Sequence, residues 1–132
     1  MALYMLDTDI CIYVMRERSA RLLQKFNRHA HQLCISAITL GELLFGAEKS
    51  QRRAQNLEAI GAFVARLEVM DFSAKACTHF AEIRADLERK GLPCGAYDLL
   101  IGAHARSESL TVVTNNVAEF RRMPGLNAET WS

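Results

Sequence analysis

The chain opens on an uninterrupted apolar run, Ala2 to Leu6, that stops at Asp7. A run that is apolar at every position suits a strand covered on both faces. Leu33-Cys34-Ile35-Ser36 reads as a second strand and Glu68-Val69-Met70 as a weak third. Leu110 to Val113, β-branched and apolar, is the clearest of the four. Between these runs the apolar spacing widens to three and four. Asp9 is placed to cap a helix from Ile10 to Arg16, and Ser19 a second with Leu22, Leu23 and Phe26 on one face. Leu40, Leu43, Leu44 and Ala47 predict a helix over 39–49, and Leu57, Ile60, Val64 and Leu67 give the next stripe. Ser73 starts a longer helix to about Lys90, with Cys77, Phe80, Ile83 and Leu87 inward. Gly91, Pro93 and Gly95 break the pattern, and a helix resumes near Tyr97. Thr114-Asn115-Asn116, a short helix near Phe120 and a tail ending in Trp131 complete the chain.

Strands alternating with helices predict an α/β fold, a three-layer α/β/α sandwich around a mostly parallel sheet. The pattern holds no linker and no internal repeat, so residues 1–132 are expected to form one domain. In such open sheets ligands bind beyond the C-terminal ends of the strands. Acids gather at those ends. Asp7 closes the first strand, with Asp9 two residues on. Glu42 follows the second strand by one and a half turns, Asp98 opens the helix after the Gly/Pro/Gly break, and Asn115, Asn116 and Glu119 follow the fourth strand. Taken singly, Asp7, Asp9 or Asp98 could be helix caps, and Glu42 a surface residue or half of an ion pair. Yet no Lys or Arg lies between Leu33 and Glu48, and the neighbours of these acids are apolar. Carboxylates converging on one rim repel each other, and a hard divalent cation such as Mg²⁺ or Mn²⁺ removes that cost. Such an ion also supports phosphodiester hydrolysis.

Composition excludes other classes. No apolar run approaches the roughly 18 residues of a membrane span. The N-terminus has no basic segment and no long apolar core, so no signal peptide is expected. The cysteines, at 11, 34, 77 and 94, have no C-x-x-C spacing, which argues against zinc-ribbon and thioredoxin-like sites. Four reduced, mostly buried thiols in a cytoplasmic protein are expected instead. His29 and His31 are expected to face solvent and His104, in an Ala-rich helix, to pack inside. A receiver-type phosphoacceptor domain would share the architecture, with Asp71 near its phosphorylation position. It would need a Lys after the last strand, where Val113-Thr114-Asn115-Asn116 has none, and Asp71 reads better as a helix cap. Neither G-x-x-x-x-G-K-[ST] nor G-x-G-x-x-G occurs.

Four segments together carry a resemblance. They are Tyr4-Met5-Leu6-Asp7-Thr8-Asp9-Ile10, Ile35 to Leu43, Tyr97-Asp98-Leu99-Leu100-Ile101-Gly102-Ala103-His104-Ala105, and Val113-Thr114-Asn115-Asn116-Val117-Ala118-Glu119-Phe120. In this order they resemble PIN-domain ribonucleases, specifically the VapC-type toxins of type II toxin–antitoxin modules, and they span nearly the whole chain. The resemblance implies an endoribonuclease that uses one or two Mg²⁺ or Mn²⁺ ions, leaves 5′-phosphate and 3′-hydroxyl ends, and blocks translation. Asp7, Glu42 and Asp98 match the family's metal-holding acidic triad, and Thr114 its supporting hydroxyl. Asn116 stands where an Asp is usual, which leaves Glu119 as a candidate for the fourth acidic position. Asp9 stands where Asn is usual. A binding protein with a degenerate site is therefore the alternative to the nuclease. The resemblance also implies a structured RNA substrate, a tRNA and in this branch the initiator tRNA anticodon stem-loop. It further implies a homodimer and a VapB-type antitoxin joined with it in a larger hetero-oligomer. Ile12, Tyr13, Leu44 and Phe45 are candidates to line the antitoxin's groove, or else plain core.

Net charge then looks different. The total of +1 argues at first against nucleic acid. If Asp7, Asp9, Glu42, Asp98 and Glu119 share one pocket, 16 bases face the other 10 of the 15 acids. Lys49, Arg52 and Arg53 after the Glu42 helix, and Arg121 and Arg122 after Glu119, are the expected RNA contacts.

Overall fold

A computed structural model describes residues 1–131. The elements run β1 (Tyr4–Leu6), α1 (Thr8–Met15), α2 (Ala20–Arg28), β2 (Leu33–Ser36), α3 (Ala37–Glu48), α4 (Arg53–Val64) and β3 (Glu68–Met70). They continue α5 (Ala74–Arg89), α6 (Ala96–Ser107), β4 (Thr111–Val113), α7 (Val117–Arg121) and β5 (Asn127–Glu129). The five strands form one all-parallel sheet in the order β3-β2-β1-β4-β5. This is the α/β architecture that the alternating pattern predicts.

The apolar runs are explained by two-sided burial. Successive strand side chains point to opposite faces. Leu6, Leu33, Ile35 and Val113 face one core, with Ile10 and Val14 of α1, Leu22 and Phe26 of α2, Leu43 of α3, and Ile60 and Phe63 of α4. Met5, Cys34 and Val112 face the other, with Ile83 and Leu87 of α5, Ile101, Ala103 and Ala105 of α6, and Phe120. Each two-sided strand thus supplies both layers, and removal of that apolar surface from water is the main force holding the sandwich. Gly102 lets α6 approach the C-terminal segment: a Cβ there would stand 2.3 Å from Met123 Sδ.

Some local expectations are corrected. Asp7, not Asp9, caps α1, accepting from the Ile10 N–H at 2.9 Å, and Asp9 lies in the first turn. Ser73 caps α5 in place of Asp71. The tail adds a fifth strand, β5, in register with β4 through Thr111↔Asn127, Val112↔Ala128 and Val113↔Glu129. His29 is half-buried, its ring 5.0 Å from Trp131 and 5.1 Å from Tyr4. Cys77 is exposed and Cys94 half-buried, so only Cys11 and Cys34 are the buried thiols expected. His104 is fully buried, as expected, with Nδ1 2.8 Å from Ser36 Oγ, the group that caps α3. Among the described residues no helix is long and apolar enough to cross a membrane.

Candidate active site

Parallel strands end on one side, so β1, β2 and β4 deliver Asp7, Ser36 and Thr114 to a common rim. The Asp7 N–H donates to Val113 O at 3.1 Å, which ties the end of β1 to the end of β4. Asp7 is 2% exposed. Burial pushes its carboxyl up to about 6 from an ordinary 3.8. The hydroxyl of Thr114 and the Ile10 N–H oppose that rise, while Asp9 and Glu42 add to it.

Glu42 comes from the middle of α3. The Thr8 hydroxyl donates to its Oε1 at 2.6 Å and lies 3.3 Å from the Thr39 hydroxyl. Two helices are thereby joined at the rim, α1 through Thr8 and α3 through Thr39 and Glu42. Asp98 sits in the first turn of α6. Its carboxyl is pushed up to about 7, first by burial and then by the charges of Glu119, Asp7, Asp9 and Glu42. The four acids named in that field come from three further segments of the chain, and this geometry is what brings the five together.

Glu119 behaves oppositely. Burial would raise it, but the Gly95 N–H, the Cys94 thiol, the Asn116 amide and Asp98 all hydrogen-bond to it and hold it below the ordinary value. The Gly95 N–H is 2.9 Å from Oε1, Cys94 Sγ 3.2 Å from the same oxygen, and Asn116 Nδ2 2.6 Å from Oε2. One carboxyl is raised and its neighbour lowered, so of the pair Asp98 is the one that takes up a proton first as pH falls. Asn116 is thus a donor to a carboxylate, a role an ionised Asp could not fill. Its own N–H donates to Thr114 Oγ1 at 2.8 Å. Thr114 is fully buried and serves both Asp7 and the loop. Asn115 stands exposed beside it.

Sequence reasoning missed Thr8, Thr39, Cys94 and Gly95 as partners of the acids. Thr8 next to Asp7 was open to notice. Cys94 and Gly95 lie 25 and 24 residues from Glu119, and only the fold brings them near.

A cavity of about 680 Å³ opens beside the acids. Thr8, Asp9, Ile12, Gly41, Glu42 and Phe45 line it, with Lys49 and Tyr97 at its margin. Ile12 is half-buried, while Tyr13, Leu44 and Phe45 are exposed rather than core. Of the five bases expected at RNA, Lys49 lines this cavity, its Nζ 5.0 Å from the Phe45 ring. Arg52 and Arg121 are exposed. Arg53 pairs with Glu48 at 2.7 Å, and Arg122 donates to Pro93 O at 3.1 Å.

Known proteins resemble the chain in sequence and in fold. The PIN domain family matches residues 4–126. The chain is 48% identical over 129 residues to the tRNA(fMet)-specific endonuclease VapC of Shigella flexneri, covering 98% of each. It is 46% identical over 128 residues to the protein of that name from Salmonella typhimurium, covering 97% of each. DNA-bound VapBC from Salmonella typhimurium superposes with a TM-score of 0.96 at 45% identity over 100% of both chains. VapBC2 from Rickettsia felis, bound to a promoter DNA fragment, gives 0.94 at 42% identity over 98% of this chain and 99% of that one. The chain belongs to the PIN-domain family and, within it, to the VapC toxins of VapBC toxin–antitoxin modules.

Proposed function

We propose that the chain is a Mg²⁺- or Mn²⁺-dependent endoribonuclease that cuts initiator tRNA in its anticodon stem-loop, leaves 5′-phosphate and 3′-hydroxyl ends, and thereby stops translation in the cytoplasm. The observation that carries this reading is the convergence of Asp7, Asp9, Glu42, Asp98 and Glu119, from four segments of the chain, on one rim of the sheet. A fold tolerates such a cluster at a functional site, where a bound cation repays the repulsion.

The donor set fits a hard divalent ion, since Asp7, Asp9, Glu42, Asp98 and Glu119 all offer carboxylate oxygens. Among the described residues no three His, Cys, Asp or Glu side chains stand close enough to chelate an ion outright. Mg²⁺ suits that spacing, because it takes one or two carboxylates directly and keeps several waters. Asp7, Glu42 and Asp98 would hold it, with Glu119 and Asn116 at the outer edge. When bound, the ion supplies an acidified water and neutralises charge on the phosphate.

The chain's own residues do the rest. Asp7 is held in place by the Thr114 hydroxyl and the Ile10 N–H. Thr8 orients Glu42. The hydrogen bonds to Glu119 from Gly95, Cys94, Asn116 and Asp98 hold its carboxyl low, while that of Asp98 is raised. Lys49, Arg52, Arg53, Arg121 and Arg122 would contact phosphates. The names of the 48% and 46% identical relatives support initiator tRNA as substrate. The VapBC complexes among the structural neighbours support an antitoxin partner. In this reading the chain is a homodimer joined with a VapB-type antitoxin in a larger assembly, and the antitoxin covers Ile12, Tyr13, Leu44 and Phe45.

The test is cleavage of initiator tRNA by the purified protein with each metal and with chelator, followed by end-group analysis. Activity is expected only with Mg²⁺ or Mn²⁺, and Asp98→Asn or Glu42→Gln is expected to lower it on the order of a hundredfold or more. Full activity in chelator, or in Asp98→Asn, overturns the mechanism. Binding without cleavage would instead favour a degenerate, binding-only site.

A further inference from the structure

The exposed aromatic ring next to Asp98 has no role in the fold. Tyr97 is 58% exposed, and no hydrogen bond, ion pair or ring contact with another described residue engages it. It lies in the first turn of α6 and lines the same 680 Å³ cavity as Glu42 and Asp9. Any phosphodiester that reaches the carboxylates brings its flanking nucleosides to this cavity. Bases of a single-stranded loop are splayed from their stack and are held by proteins on aromatic faces. Two exposed rings border the cavity, Phe45 and Tyr97. The Lys49 ammonium sits 5.0 Å from the centre of the Phe45 ring, while among the described residues no cation or aromatic ring is stacked on Tyr97. Lys49 also places a positive charge at the cavity's margin, where a neighbouring phosphate would lie.

We propose, on the reading of the chain as a nuclease for structured RNA, that Tyr97 is a base-stacking residue that holds one unpaired nucleobase of the substrate loop beside the scissile phosphate. The ring fixes which phosphate is presented to Asp7, Glu42 and Asp98, and so contributes to the choice of cleavage position. A peptide partner is the other chemistry an exposed ring could meet. The second cavity, bounded by Ile12, Met15, Leu43 and Ala47, offers such a partner apolar surface without Tyr97.

Tyr97→Ala and Tyr97→Phe are compared with the unaltered protein on an initiator tRNA anticodon stem-loop transcript with Mg²⁺, reading kcat and KM separately. A set of transcripts with one abasic nucleotide at each loop position completes the experiment. Tyr97→Ala is expected to raise KM about 5- to 150-fold, the range that loss of one base–aromatic stack produces. Tyr97→Phe keeps the ring and is expected to stay within about twofold of the parent KM. At one loop position the abasic transcript should impose the same loss on the parent protein and no further loss on Tyr97→Ala. The melting midpoint of both variants should stay close to the parent's, since Tyr97 is 58% exposed. An unchanged KM in Tyr97→Ala, equal defects in both variants, or an effect on antitoxin affinity alone would overturn the stacking role. An unaltered protein that cuts no RNA with either metal overturns the nuclease reading itself, and with it the role of Tyr97.

Discussion

Asp7 combines a structural duty with the chemical one proposed for it, and Asp7→Asn separates them. The carboxyl caps α1 through the Ile10 N–H, and Asn caps as well as Asp does. The charge is what differs. With its carboxyl raised from 3.8 to about 6, Asp7 favours the folded state less when ionised than when protonated. At about 1.4 kcal/mol per tenfold in the proton equilibrium, the rise amounts to about 3 kcal/mol lost above pH 7. The sign follows from the direction: a carboxyl whose folded value lies above its unfolded one destabilises above the folded value. That penalty fades as pH falls from about 6 towards 3.8. Asn avoids the penalty but loses the acceptor that the Thr114 hydroxyl uses in its present geometry, which costs roughly 1 kcal/mol. The net gain at pH 8 in chelator is therefore about 2 kcal/mol, or roughly 8 °C in melting midpoint for a chain of this size. At pH 4 the gain should vanish or turn slightly negative. The assay is a pair of thermal melts across pH 4 to 8 without divalent ions, beside a cleavage assay in which Asp7→Asn is expected to be inactive. A variant less stable than the parent at pH 8, or a difference that does not shrink on acidification, refutes the argument from buried charge.

Other changes test the neighbours. Thr114→Val removes the donor that lowers Asp7 and strands the Asn116 N–H, so the acid limb of the cleavage–pH profile should move to higher pH. The same variant should lose about 1–3 kcal/mol in denaturant titration. Gly102→Ala puts a methyl 2.3 Å from the sulfur of Met123, itself 1% exposed, and should cost about 1–3 kcal/mol in the same titration. A neutral result would show that Met123 can swing clear. Adding Mg²⁺ should raise the melting midpoint of the parent and raise that of Asp98→Asn much less, because removing a carboxylate would weaken the proposed ion site.

What was legible in the sequence follows from local physics. β1, β2 and β4 are apolar at alternate and intervening positions because helices cover both faces, and that pattern needs no knowledge of the fold. β5 is Asn127-Ala128-Glu129, a polar edge strand that nothing in its own composition marks, and it exists because β4 offers a free ladder. The choice between Asp7 and Asp9, or between Asp71 and Ser73, as a cap turns on where the preceding strand ends, a boundary set by pairing partners tens of residues away. The acids were visible as a set because each follows a strand or a break. The network on Glu119 was not, since Cys94 and Gly95 belong to another segment and reach it only when α6 and α7 pack. Asn116 looked like a weakened ligand in the sequence. In the structure it is the donor that orients Glu119.

The strand order has a consequence for when the rim is completed. β1 lies in the middle of the sheet, with β2 on one side and β4 on the other. Its second neighbour is thus more than a hundred residues later in synthesis, through Tyr4↔Thr111 and Met5↔Val112. A growing chain that has made Asp7, Glu42 and even Asp98 still has an open edge on β1, lacks Thr114 beneath Asp7, and has no Glu119 beside Asp98. The rim is therefore completed long after Asp7 itself is made, with the synthesis of β4 and α7. For a toxin, that order delays the convergence of its acids.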